Sequence, residues 1–163
     1  GKVLGGMTTA MLQGALLLLA IGLFKVIGLV EIRTPGAAQL LQIVVFMILI
    51  SVSFVSIGLA LASVIEDPVA FPVVTNFLIM PIFFLSGALY PIGQIPGYSQ
   101  IGTLPGWLSS LAHLNPLTYG VDGLRGAVLG ASSFPILLDL AVLAVFSLTM
   151  VLLGGYLFRK ISA

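Results

Sequence analysis

Four stretches of this chain, residues 3–24, 40–65, 69–89 and 134–158, are apolar almost throughout. A helix rises 1.5 Å per residue, so about 20 residues cross a hydrocarbon core about 30 Å thick, and each stretch meets that length. Strands of a membrane barrel would alternate polar and apolar side chains over about ten positions, and nothing here alternates in that way. The expectation is an all-α membrane protein: a helical bundle of about four transmembrane helices within a single domain over residues 1–163.

Charge supports the same class. Only 7% of residues are charged and 60% are hydrophobic, where a soluble domain has about a quarter charged. Six Lys and Arg, scattered for a net charge of +1, form no basic stripe, which sets nucleic-acid binding aside. The absence of cysteine removes disulfides, thiolate metal sites and cysteine nucleophiles. A chain that opens at Gly1 and enters an apolar segment at once reads as a piece of a longer protein.

The first span carries Gly6, Ala10 and Gly14 four residues apart, a small-residue ridge for close helix approach, with Gln13 beside it as an interhelical hydrogen-bonding group or a contact for a transported substrate. Lys25, Glu31, Arg33, Thr34, Pro35 and Gly36 make a polar turn. The second span is rich in small residues, among them Ser51, Ser53 and Ser56, which suits packing inside a bundle. It ends at Glu66-Asp67-Pro68, where Asp67 can cap the next helix. The third span holds Thr75, Asn76 and Pro81, and Pro81 should kink it by removing a backbone donor. Thr75, Asn76, Pro81 and Phe84 are therefore candidates, with Gln13, for the wall of a pathway. The last span is expected to be capped by Ser132 or Ser133, with Asp139 in its first turns, shallow enough for its carboxylate to reach the interface. An even number of spans puts both ends on one side, and Lys2, Arg159 and Lys160 make that side cytoplasmic.

Between the third and last spans lies an element too short to cross. Leu104, Trp107, Leu108 and Leu111 fall on one helical face, with Ser109, Ser110 and His113 off it. Asn115-Pro116 then opens a second short helix, with Leu117, Val121, Leu124 and Val128 on one stripe. The pair, residues 104–130, is expected to dip back into the outer membrane face. Within it Asp122 is three residues from both Tyr119 and Arg125, which predicts a structural clamp in which its carboxylate accepts from the phenol and the guanidinium. No nucleophile elbow, HExxH, P-loop or carboxylate cluster accompanies the single histidine, so a catalytic role is not expected.

Ser86-Gly87-Ala88-Leu89-Tyr90-Pro91, then Leu104-Pro105 and Trp107-Leu108, then Leu114-Asn115-Pro116-Leu117-Thr118-Tyr119 with Asp122-Gly123-Leu124-Arg125, resemble the signature of ATP-binding-cassette type-2 exporter permeases. The resemblance implies a non-enzymatic membrane subunit without a cofactor of its own. It implies a second permease subunit, a homodimer in the usual case, and a cytoplasmic ATPase that holds the ATP and magnesium. It also implies residence in the cytoplasmic membrane among its lipids, export of a drug, antibiotic or polysaccharide, and the Glu66-Asp67 turn as an ATPase-coupling site. An ion-coupled secondary transporter or channel is the alternative; it would call for unwound helices or paired acids at mid-membrane in repeated halves, where this chain offers only Pro81 and Asn76.

Overall fold

The computed structural model describes residues 2–29, 34–89 and 106–161. Tyr90, Pro91, Leu104 and Pro105 of the signature, and Glu31 and Arg33 of the first turn, lie outside the described residues. The chain forms α1 (Lys2–Val26), α2 (Ala37–Val64), α3 (Ala70–Leu85), α4 (Gly106–Ala112), α5 (Pro116–Leu129) and α6 (Ile136–Ile161). It is a helical membrane bundle, in which α1, α2 and α6 are each long and apolar enough to cross a bilayer.

The third apolar stretch forms a shorter helix than the hydrophobic pattern suggests. α3 has 16 residues, or about 24 Å of rise. Its end is set by Ser86 and Gly87: the Ser86 hydroxyl donates to the Phe83 carbonyl at 2.6 Å, and Gly87 turns to a left-handed φ of 74°, where a helix cannot continue. Pro81 lies inside α3.

α2 is the axis of the bundle and packs against α1, α5 and α6. On α1, Gly6 faces Val55 and Gly14 faces Met47, so the expected small-residue ridge is the seam with α2 and the two helices run antiparallel. A Cβ at Gly6 would lie 2.7 Å from a Val55 methyl. On α5, Gly120 faces Ile50 and Gly123 faces the Phe46 ring, again antiparallel. α6 runs parallel to α2: the hydroxyls of Ser53 and Ser147 lie 2.6 Å apart and converge on the Leu49 carbonyl, and Gly154 sits against the Ser56 carbonyl. Since α2 and α6 point the same way, the chain between them must return to the end where α2 began. α3 makes that return, although no residue of it is buried.

The first turns of α6 and the turn before them depart from expectation at two points. Asp139 does not reach an interface. It lies with Leu143, Ser147 and Gly154 on the inward stripe of α6 and has no exposed surface, and neither carboxylate oxygen has a hydrogen-bond partner among the described residues. Four-residue spacing from Leu143 and Ser147 turns it inward, and sequence depth alone does not reveal that. The N–H groups ahead of α6 are held by Asp122 from α5, rather than by the side chain of Ser132 or Ser133.

Candidate functional site

The signature residues gather at the joint between α3 and the two short helices. Asn115 is extended, as an N-cap must be, and Pro116 occupies the first position of α5. Its Oδ1 accepts from the Leu117 N–H at 3.0 Å, which leaves the amide free to donate. Asn115 Nδ2 donates to the Ile82 carbonyl of α3 at 2.6 Å. That carbonyl is open because the Ser86 N–H bonds to Phe83 instead, in a tightened last turn.

Thr118 and Arg125 extend the same device. Thr118, with no exposed surface, points its hydroxyl at the Ala112 carbonyl at 2.7 Å and the Leu85 carbonyl at 3.3 Å, joining α4 and α3 to α5. Arg125 Nη2 donates to the Gly87 carbonyl. Asn115 and Thr118 thus supply donors to orphan carbonyls in the last turn of α3, and Arg125 to the turn just after it. A helix with no buried residue is held at that end by side chain to backbone bonds.

The expected clamp at Asp122 is not what forms. Asp122 is 3% exposed, and its carboxylate accepts from the backbone N–H groups of Ser133, at 2.9 and 2.8 Å, and Phe134, at 2.9 Å. Tyr119 donates instead to the His113 carbonyl at 2.8 Å, and Arg125 reaches α3. Residues three apart are neighbours on a helix, yet each of these side chains follows the nearest unpaired backbone group, because two buried N–H groups outweigh a half-exposed phenol as a carboxylate's partners. Around the turn, Phe134 takes the edge of His113 at 5.4 Å and the tilted Tyr119 ring at 5.3 Å.

The face of α5 differs as well. Leu117, Val121, Leu124 and Val128 are half-buried, whereas Thr118, Gly120, Asp122, Gly123 and Ala127 are buried. Gly120 and Gly123 lie where α5 meets α2, while Thr118 turns to α3 and α4 and Asp122 to the turn before α6. The Gly120 and Gly123 pair carried this signal in the sequence, as did the buried Phe46 that it admits, and both were missed.

The pathway candidates divide. Asn76, Pro81 and Phe84 line one groove on α3 with Val73, Phe77 and Met80, about 610 Å³ in volume. Thr75 is half-buried and does not line that groove, and its hydroxyl has no partner among the described residues. Gln13 is exposed on α1 and does not line that groove. Trp107 is exposed on α4. At the other end of α3, Glu66 and Asp67 are exposed, and Asp67 caps the turn by accepting from the Val69 N–H at 2.8 Å. Among the described residues no cluster of His, Asp or Glu has the makings of a metal site.

Fold and site together define an integral helical membrane domain whose polar residues fasten helices to one another. The chain belongs to the ABC-2 type transporter family, whose model matches residues 1–129. Among curated proteins it is similar to the inner membrane transport permease YadH of Escherichia coli K12, at 29% identity over 53% of this chain and 30% of that protein. It is also similar to nodulation protein J of Rhizobium leguminosarum bv. viciae, at 26% identity over 66% of this chain and 38% of that protein. The chain therefore spans less than two fifths of the length of these relatives. No solved structure matches it.

Proposed function

We propose that this chain forms part of the permease of an ATP-driven exporter, which with a second permease subunit builds a pathway across the cytoplasmic membrane. The observation that carries the reading is the ABC-2 family match over residues 1–129. The E. coli relative is named as an inner membrane transport permease, and the same residence and role are proposed here. ATP and magnesium belong to a separate cytoplasmic ATPase. Both ends of the chain are cytoplasmic, α4 and α5 are external, and α3 with the turn after it completes a fourth crossing.

Alternating access needs an element with two arrangements. α3 suits that part: it is fastened at its outer end by Asn115, Thr118 and Arg125 and has no buried residue along its length. Its inner end adjoins the exposed Glu66-Asp67 turn, where an ATPase would push. The Asn76, Pro81 and Phe84 groove faces the pathway, with Thr75 behind it and Gln13 contributing from α1.

The test is gentle purification of the tagged full-length protein from membranes. A P-loop ATPase co-purifying in near-equal amount, with vanadate-sensitive turnover, is the expected result. A stable permease dimer without such a partner would overturn the reading and favour the ion-coupled alternative.

A further inference from the structure

Arg125 stands inside the apolar thickness of the bundle. α2 has 28 residues, or about 42 Å of rise against a hydrocarbon core about 30 Å thick, so about 6 Å of it projects at each end. α5 runs antiparallel to α2, with Gly120 at Ile50 and Gly123 at the Phe46 ring. Two residues past Gly123, Arg125 comes level with Val44, which follows Ala37, the first residue of α2, by about two turns. That places the Arg125 backbone about 4 Å inside the hydrocarbon, at the end of the bundle where α2 starts. The side chain is half-buried and donates one N–H to the Gly87 carbonyl. The rest of its guanidinium fork has no hydrogen-bond partner among the described residues.

A cation at this depth calls for an anion, because a neutral carbonyl takes one hydrogen bond and leaves the charge uncompensated. The chain has five acids, and none of the described ones is placed to serve. Asp122 gives its oxygens to the Ser133 and Phe134 N–H groups. Asp139 is buried on α6 with no hydrogen-bond partner among the described residues. Glu66 and Asp67 precede α3, at the end opposite Gly87. Glu31 lies outside the described residues. Residues 88–105, which follow Gly87 in the chain, contain no Asp or Glu.

We propose that Arg125 is an anion-binding site whose ligand is the phosphate head of an amphiphile. The planar fork offers parallel N–H groups to two phosphate oxygens, and a long side chain rooted this near the edge of the hydrocarbon reaches the level where head groups begin. Because the same guanidinium holds the Gly87 carbonyl, an occupied site ties the ligand to the turn that ends α3. Two sources bring this chemistry, a membrane phospholipid and a transported amphiphile. The proposal rests on the membrane fold and requires no ATP coupling.

The test uses the full-length protein purified in dodecyl maltoside, with dodecyl phosphate as the probe. Dodecyl phosphate should raise the thermal midpoint of the wild type by about 3 °C, and Arg125→Gln should lose that rise whatever its own starting midpoint. Arg125→Lys, a point charge without the fork, should keep about half of it. Native mass spectrometry separates the sources. Phosphatidylglycerol retained by the wild type and lost from Arg125→Gln assigns the site to the membrane lipid; a wild type that carries no lipid yet responds to the probe assigns it to a transported amphiphile. A wild type that neither retains the lipid nor responds to the probe would overturn the proposal, and a response that then appears in Glu31→Gln would name Glu31 as the counter-ion. An Arg125→Gln variant that retains the lipid and responds as the wild type does would overturn it equally.

Discussion

Asp122 and Gly123 are neighbours with opposite demands, and both follow from how near α5 lies to its surroundings. Asp122 is buried, with both oxygens engaged by backbone donors ahead of α6. Asp122→Ala strips the Ser133 and Phe134 N–H groups of their acceptor and should cost about 3 kcal/mol, read as a lowered thermal midpoint in detergent, while Asp122→Asn retains one acceptor oxygen and should cost about half as much. Tyr119→Phe should leave that loss unchanged, because the phenol bonds to His113 and not to Asp122; a double variant no worse than Asp122→Ala alone would restore the clamp. At Gly123 a Cβ would strike the Phe46 ring, which has no exposed surface and little room to withdraw. Gly123→Ala should therefore destabilise by about 1 to 3 kcal/mol, and adding Phe46→Leu should recover part of it. Full stability of Gly123→Ala alone would mean that α5 stands further from α2.

At the scale of elements, α1, α2 and α6 were legible in the sequence because their apolar runs far exceed the length of a soluble helix, whereas the third run yields only the 16-residue α3. Their starts were legible too where chemistry is local, as at Asn115-Pro116 and Asp67-Pro68. What sequence did not reveal depends on partners distant in the chain. The inward turn of Asp139, the buried small-residue face of α5 and the true partners of Asp122 are all decided by α2, α3 or the turn before α6. The site was legible as a cluster but not as a mechanism: Asn115, Thr118 and Arg125 stand in the recognised motif, yet their acceptors lie 33, 33 and 38 residues away. That device makes a prediction about α3. With Asn115→Ala and Thr118→Val combined, the end of α3 loses two donors, α4 loses the Thr118 bond to Ala112 and α5 loses its Asn115 cap, while α2 and α6 keep their own bonds. Amide hydrogen exchange over residues 82–88 should accelerate about tenfold, corresponding to about 1.4 kcal/mol of lost local stability, with α2 and α6 unchanged. Equal acceleration in all helices would mean that the joint supports the whole bundle rather than α3.

For the whole molecule, the arrangement separates a firm body from a lightly held one. α2 packs extensively against α1, α5 and α6, most of the buried residues lie on α2, α5 and α6, and α3 is tied to them chiefly at one end. A push at the opposite end, on the Glu66-Asp67 turn, would therefore move α3 about its fastened end with little disturbance to the core. The proposed coupling role can be tested without harming the fold, provided the two acids are treated differently. Asp67 holds the Val69 N–H, so Asp67→Asn removes its charge and keeps a cap, while Glu66 makes no hydrogen bond among the described residues and tolerates Glu66→Lys. The double variant should insert into membranes and keep its thermal midpoint to within about 1 kcal/mol of stability, because an exposed charge and a retained cap contribute little. Its recovery with the partner ATPase should fall about tenfold, equivalent to about 1.4 kcal/mol, and more steeply at low salt, where the lost charges act over a longer range. Undiminished recovery of the ATPase with this variant would remove the turn from the coupling interface and direct the search to another cytoplasmic surface of the permease.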